Sequence, residues 1–347
     1  MVETTSRIDT RSDSAIASAG DTLRVLYVFP GAPEGAAMIF ADKQVKAMRK
    51  LGVMPEIFVL ESRTNPALLR RESGRFQQCI ASCRPDLIHA QYGTVTACLA
   101  ALMTTIPLVI TFRGSDLNPA PSDSWLRSLV RRWFSQYAAR KAVRIICVSE
   151  GLKRRLWWGH DRAQVLPSGV DTDVFVPRAQ SEARAELGWE AAERIVLFNA
   201  GLSPAVKRLD LAQAAVVQAE DLCGPIRLVL LDGRVPHPRV ATMMNAADCL
   251  LLTSDWEGSP TIVQEAMACN LPVVSVDVGD VRERLCAVAS SVVVGRDPAE
   301  MARALAELLA APRRSNGRDF VAAVAQDHIA RQTLAVYHEA LGRRGRC

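Results

Sequence analysis

The stretch EGSPTIVQEA, residues 257–266, sets Glu257 and Glu265 eight positions apart across a Gly258-Ser259-Pro260 turn. At about 3.6 residues per turn, helical geometry alone could bring two such carboxylates to one side. Gly, Ser and Pro suit a helix start better than its interior, with Ser259 expected at the cap and Pro260 in the first turn. Glu257 is therefore expected in a loop and Glu265 on the helix, with the backbone N–H groups of Thr261 and Ile262 between them. Bare N–H groups at a helix start attract anions, phosphates above all. Such a site can hold phosphate on backbone dipoles while its carboxylates accept hydroxyl groups, which points to a phosphorylated, sugar-like ligand. Acids near a helix start also occur for dipole reasons alone, so the surrounding sequence must decide.

The elements that position these residues are short β-branched runs alternating with helix-length segments. LRVLYVF (23–29), PEIFVL (55–60), DLIHA (86–90), PLVITF (107–112) and RIICVS (144–149) read as buried parallel strands, with helical stretches such as 36–51 and 65–83 between them. After Pro177 the pattern restarts with RIVLFNAG (194–201), IRLVLLDG (226–233), CLLLTS (249–254), LPVVSVD (271–277) and SSVVVG (290–295). This predicts two doubly wound α/β domains, each sheet covered on both faces. Sheets of this type bind ligands beyond the carboxyl ends of their strands. Three polar turns fall on that edge: EGSPTIVQEA after CLLLTS, GLSPAVKR (201–208) after RIVLFNA, and FRGSD (112–116) after PLVIT. The expected site is a cleft between domains.

Composition is consistent with this frame. A chain of 347 residues suits two domains, and 49% hydrophobic with 23% charged residues is a globular rather than a disordered balance. No apolar run reaches the roughly 18–20 residues of a spanning helix. Residues 1–21 are rich in Ser, Thr, Asp and Ala without an apolar segment, and read as a disordered leader, not a signal peptide. Of nine cysteines, Cys98, Cys147, Cys249 and Cys269 lie inside apolar runs, and Cys79 and Cys83 have no second pair to complete a metal site. They read as core hydrophobes of a protein in a reducing compartment, the cytoplasm. The histidines at 89, 160, 237, 328 and 338 are dispersed.

Taken together, the motifs resemble those of the retaining glycosyltransferases of family 4, which have the GT-B fold. Glu257 and Glu265, followed by AMACNLPVVSVDVGDVRE (266–283), are similar to the family's signature, and LPSGVDTDVFVP (166–177) to its interdomain segment, with Ser168 where the family has Asn. GLSPAVKR resembles the donor-phosphate loop, VITFRGSD (109–116) the acceptor-side loop, and CVSEGLKRRL (147–156) a helix start of the first domain. The resemblance covers about residues 23–343 with the motifs in family order. It implies an acceptor-side domain over 22–172, a nucleotide-sugar domain over 173–325, and a C-terminal segment, 326–347, that crosses back to the first domain.

The implied reaction moves a sugar from a nucleotide-diphosphate donor, such as a UDP- or GDP-sugar, to a glycan or polyprenyl-linked acceptor in bacterial cell-surface polysaccharide synthesis. Negative charge builds on the leaving diphosphate, and fixed cations and N–H dipoles stabilise it. Lys207 supplies a cation, with the helix start from Gly258 through Ser259, Pro260, Thr261 and Ile262 supplying dipoles. Glu265 is implied to bridge the ribose hydroxyls, since a carboxylate accepts two hydrogen bonds from a cis-diol, and Glu257 to sit near the donor sugar. Gly35 and Gly201 are implied to let backbone approach the donor, Gly233, Arg234 and Val235 to recognise the base, and Gly114 and Asp116 to face the acceptor.

Two positions depart from the family. Its usual Arg after the loop glycine is Leu202 here, with Arg208 beside Lys207 either turning inward as a substitute or facing solvent. Its frequent His is Arg113, which cannot exchange a proton at neutral pH; it either fixes a phosphate or a sugar hydroxyl or only pairs with Asp116. Asp171-Thr172-Asp173 has a metal-binding form but lies in the linker, so neither metal nor cofactor is expected.

Charge is uneven: residues 1–172 hold 23 Lys and Arg against 15 Asp and Glu. Within 125–155, nine basic residues face one acid, Glu150, and are interleaved with Trp125, Leu126, Leu129, Val130, Trp133 and Phe134; Trp157 and Trp158 follow. A basic, aromatic amphipathic helix suits an anionic membrane surface, peripheral at the inner face of the plasma membrane. Alternatively its apolar stripe packs on its own sheet. No motif supports nucleic acid. A noncatalytic GT-B partner subunit and a GT-B nucleotide-sugar epimerase are the rival readings, the first favoured by Leu202 and opposed by Lys207, Glu257 and Glu265.

Overall fold

The computed structural model describes residues 22–31, 37–61, 65–118, 124–201 and 204–342. The leader over 1–21, Gly35 and Leu202 lie outside the described residues.

The first domain carries strands β1 (Arg24–Pro30), β2 (Met54–Leu60), β3 (Leu87–Ala90), β4 (Leu108–Phe112), β5 (Arg144–Cys147) and β6 (Ala163–Val165). Its helices are α1 (Ala37–Lys50), α2 (Pro66–Cys83), α3 (Thr94–Met103), α4 (Trp125–Lys141) and α5 (Glu150–Lys153). The second carries α6 (Gln180–Leu187), β7 (Ile195–Asn199), α7 (Pro204–Lys207), α8 (Leu209–Cys223), β8 (Arg227–Leu231) and α9 (His237–Ala246). It continues through β9 (Cys249–Leu252), α10 (Thr261–Ala268), β10 (Val273–Val276), α11 (Val281–Leu285), β11 (Val292–Val294) and α12 (Pro298–Ala310), and α13 (Gln326–Ala340) follows. The two sheets run in the orders β2-β1-β3-β4-β5-β6 and β11-β10-β9-β7-β8. All their pairings are parallel. Ten strands fall where the apolar runs predict them; β6, three residues of Ala-Gln-Val, carries too little pattern to be seen.

Alternation along β1 shows why both faces are buried. Leu26 and Val28 point into a core shared with Phe58, Phe76 and Ile110, while Val25, Tyr27 and Phe29 point into one built with Met48 of α1 and Tyr337 of α13. Helix α13 therefore packs on the first domain. The phenol of Tyr337 is fully buried, 2.6 Å from Nδ1 of His89 and donating at 3.0 Å to the hydroxyl of Tyr27. Burial of a hydroxyl is tolerable only when it is hydrogen-bonded, and this network satisfies it. Burial holds the His89 imidazole down to about 3, so it is neutral.

Two chain segments join the domains side by side. Val170 N–H donates to Val324 C=O at 2.9 Å, and Gln326 N–H donates to Val170 C=O at 2.8 Å. The linker after β6 and the segment entering α13 thus form one paired hinge.

Candidate active site

Between the domains lies a cavity of about 340 Å³. From the second domain it is lined by Gly201, Lys207, Gly233, Val235, Glu257, Gly258, Ser259, Pro260, Thr261, Ile262 and Glu265, and from the first by Arg113. The turns after β7, β8 and β9 supply these residues because each ends at the same edge of the parallel sheet. Asn199, Ser168 and His237 also line it. Of these, His237 had no visible signal, since it stands alone in sequence and only the start of α9 brings it to the cavity.

Lys207 closes α7, and its carbonyl accepts from Thr253 Oγ1 at 2.7 Å. Its ammonium reaches Glu257 Oε1 at 2.5 Å, and Ser254 Oγ donates to the same oxygen at 2.8 Å. Glu257 stands in the loop and Glu265 on α10. The cap is Pro260 rather than Ser259, and no side chain bonds the helix start. Ser259 is engaged elsewhere, donating to Asp280 Oδ2 at 2.8 Å and accepting from Gln264 Nε2 at 3.1 Å. A helix start without a side-chain cap leaves its N–H dipoles to an anion in the cavity.

Glu265 is 5% exposed, and burial pushes its carboxyl up to about 7 against the opposing pull of Lys43. Lys43 comes from α1, 3.7 Å from Glu265 Oε1 and 3.0 Å from His237 Nδ1. Sequence reasoning missed it because nothing local distinguishes one lysine on an amphipathic helix.

The Arg113 guanidinium bonds Gln91, Ser168 and Gln44, while Asp116 takes the Arg113 backbone N–H. Its Nε donates to the Gln91 carbonyl at 3.1 Å, Nη1 to Ser168 Oγ at 3.0 Å, and Nη2 to Gln91 Oε1 at 2.5 Å and Gln44 Oε1 at 3.2 Å. Burial lowers its guanidinium to about 10. Ser168, standing where the family has Asn, is thus a partner of the Arg standing where it often has His.

Four expected site residues lie off the cavity wall. Arg208 turns away to Asp210 at 2.9 Å and Asp255 at 3.2 Å, because those two acids satisfy its guanidinium outside. Arg234 is exposed, and its N–H closes a turn on Asp232 Oδ1 at 2.9 Å. Asp116, 1% exposed, accepts the N–H groups of Gly93, Arg113 and Gly114 at 3.1, 3.0 and 2.8 Å and so fixes the loop. Gly114 takes a φ of +148° and packs on the backbone of Gly258 across the cleft, where a β-carbon would sit 3.4 Å from Gly258 N. Gly258 meets the Arg113 carbonyl from the other side, closer than any β-carbon would allow. Among the described residues no group of three or more His, Cys, Asp or Glu could hold a metal ion.

The arrangement has known counterparts. Residues 15–174 match the profile of Glycosyltransferase Family 4, and residues 193–311 that of Glycosyl transferases group 1. A D-inositol 3-phosphate glycosyltransferase of Mycobacterium avium is 30% identical over 302 residues, 74% of this chain and 70% of its own length. The chain belongs to glycosyltransferase family 4. This family 4 member is also 31% identical over 221 residues to the putative teichuronic acid biosynthesis glycosyltransferase TuaC of Bacillus subtilis, covering 57% of this chain and 54% of that one. The chain thus spans little more than half the length of that relative. Its fold is shared with sucrose-phosphate synthase of Thermosynechococcus elongatus at a TM-score of 0.78 and 18% identity, over 92% of this chain and 99% of that one. Two parallel sheets facing a cleft, with a helix crossing back, are the GT-B fold.

Proposed function

We propose that the protein is a retaining, metal-independent glycosyltransferase that moves a sugar from a nucleotide-diphosphate donor to a glycan or polyprenyl-linked acceptor in cell-surface polysaccharide synthesis. What carries the reading is the convergence of Lys207, Glu257, Glu265 and the start of α10 on one interdomain cavity. A partner subunit without activity has no need of that convergence.

In this reading Lys207 and the N–H groups of Thr261 and Ile262 take the diphosphate, Glu265 the ribose diol, and Glu257 the sugar hydroxyls. The bond from the anomeric carbon to the diphosphate oxygen breaks, and its electron pair leaves with the phosphate. The acceptor hydroxyl oxygen bonds to the same face of that carbon and passes its proton to the departing phosphate oxygen. No protein nucleophile is needed, and oxocarbenium character is stabilised by the neighbouring carboxylate of Glu257. Arg113, half-buried and held through Nε, Nη1 and Nη2, orients the first-domain wall and is not a proton donor.

The basic face fits an anionic membrane carrying a lipid-linked acceptor. The large apolar side chains of α4 do not pack on the sheet: Trp125 is 77% exposed and Trp133 56%, while the helix buries Ser135, Gln136, Ala138 and Ala139. Arg132 lies 5.1 Å over Trp157 and Arg140 6.0 Å over Trp158. A patch of exposed aromatics beside arginines supports an interfacial role at the inner face of the plasma membrane. No helix among the described residues is long and apolar enough to cross a membrane.

The test is incubation with a panel of radiolabelled nucleotide sugars, with and without lipid-linked and glycan acceptors. Label transfer that requires an acceptor is expected. Acceptor-independent isomerisation would establish an epimerase instead, and no turnover with any donor would overturn the enzymatic reading.

A further inference from the structure

Lys43 touches two residues of the cavity wall, Glu265 and His237, and the proposed reaction does not use it. It is carried by α1 of the first domain, yet its ionic, hydrogen-bond and ring partners belong to the second. Its ammonium lies 3.7 Å from Glu265 Oε1, 3.0 Å from His237 Nδ1 and 5.7 Å from the centroid of Phe175. His237 stands edge-on to Phe175 at 5.9 Å, so ring and imidazole form the slot through which the lysine reaches the carboxylate.

We propose that Lys43 is a donor-positioning residue: it neutralises Glu265 from across the cleft, so that the carboxylate that takes the ribose is ionised and aimed only when the two domains are together. The proposal rests on the ribose role of Glu265 given above.

Chemistry at the carboxylate explains why a cation is needed there. A buried carboxylate is costly to ionise, and only its ionised form accepts two hydrogen bonds from a diol. The titratable groups facing Glu265 are Lys43 from α1, His237 from α9, and Cys269 one turn along α10. Burial holds His237 down to about 4, so it is neutral above that value despite its 3.7 Å approach to Glu265. Burial likewise holds the Cys269 thiol up to about 12. Lys43 is therefore the cation of this set at neutral pH. Because the cation and the carboxylate sit on different domains, opening the cleft separates them and raises the cost of an ionised Glu265. Nucleotide binding and domain closure then favour each other by reciprocal linkage.

The experiment measures the affinity of UDP, GDP and ADP by calorimetry from pH 5.5 to 9 for the wild type, Lys43→Met, Lys43→Arg and Glu265→Ala, after thermal unfolding has shown each variant folded. For the diphosphate that the wild type binds most tightly, wild-type affinity is expected to fall as the pH drops through about 7, where Glu265 takes up a proton. In Lys43→Met that midpoint should move up by about one pH unit or more, lowering affinity about threefold or more at pH 7.5, with recovery toward pH 9. Lys43→Arg should keep the wild-type profile. Lys43→Met with an unshifted midpoint, while Glu265→Ala loses affinity, overturns the proposal and leaves the ribose role standing. Glu265→Ala that binds as the wild type does overturns the ribose role, and the proposal with it.

Discussion

Lys207 and Glu257, proposed to serve the phosphate and the sugar of one donor, hold each other at 2.5 Å. The pair is mostly buried, with side chains 19% and 14% exposed, so its attraction is only weakly screened by solvent. A diphosphate arriving at Lys207 competes with a carboxylate already in place.

Glu257→Gln should therefore leave the affinity for a bare nucleoside diphosphate unchanged or raise it, while turnover of the nucleotide sugar falls. Calorimetry with the diphosphate and label transfer from the sugar donor separate the two effects. Weaker binding of the bare nucleotide would show that Glu257 helps hold it.

Lys207→Ala and Glu265→Ala should each lower donor affinity about tenfold or more, since each removes charge-assisted hydrogen bonds contributing roughly 1.5–3 kcal/mol. The two losses are distinguishable by ligand. A nucleoside lacking phosphates should discriminate against Glu265→Ala but not Lys207→Ala.

Gly258→Ala should hold the cleft open. Its β-carbon would meet the Arg113 carbonyl, and Val148 Cγ2 at 2.9 Å, and backbone cannot yield as a flexible side chain does. Displacement of the reacting groups by about 1 Å costs on the order of a hundredfold in rate, so turnover should drop by at least that much. Small-angle scattering should report a larger radius of gyration. Wild-type scattering together with wild-type turnover would refute the closure.

Glu265 should also mark the pH dependence of stability. Its folded-state value is raised from 4.5 to about 7, so its contribution to stability is fully present below about 4.5 and is lost as the pH rises through 7. Glu265→Gln cannot ionise and escapes that loss. The melting temperature of the variant relative to the wild type should therefore rise between pH 5 and pH 8; an equal difference at both would contradict burial as the cause.

The membrane reading predicts flotation with anionic vesicles at low salt, at about 1 kcal/mol per basic contact, weakening as salt screens it. Arg127→Gln, Arg140→Gln, Arg154→Gln and Arg155→Gln combined should release the protein without lowering its melting temperature, since all four are exposed. Arg131 is best left in place, because its guanidinium donates to the Ser115 carbonyl at 3.0 Å and supports the loop. Wild-type protein that ignores such vesicles would exclude this surface.

Strand positions were legible because buried parallel strands must be continuously apolar, and the turns at their ends were legible because glycine and proline mark them. Glu257, Glu265 and Lys207 could be found for the same reason, lying within two turns of one domain. What escaped was long-range: Lys43 and His237 come together from 194 positions apart, and no local pattern records that meeting. Arg208 was left open between two orientations, and its place and that of Asp116 are set by their partners. Asp210 and Asp255 draw the arginine outward, and three backbone N–H groups occupy the aspartate. A sequence names the polar group but not the partner that satisfies it.

The buried phenol of Tyr337 carries a consequence for the order in which the chain can fold during synthesis. The first-domain strands leave the ribosome early, yet the core beneath Tyr27 and His89 lacks a wall until residue 340 has been made. Domains ordinarily fold as they emerge. Here the second domain can close its own core first, while the nascent first sheet waits with one apolar face uncovered. Ribosome-bound chains stalled before residue 326 should thus show a protease-resistant second domain attached to a protease-sensitive first one.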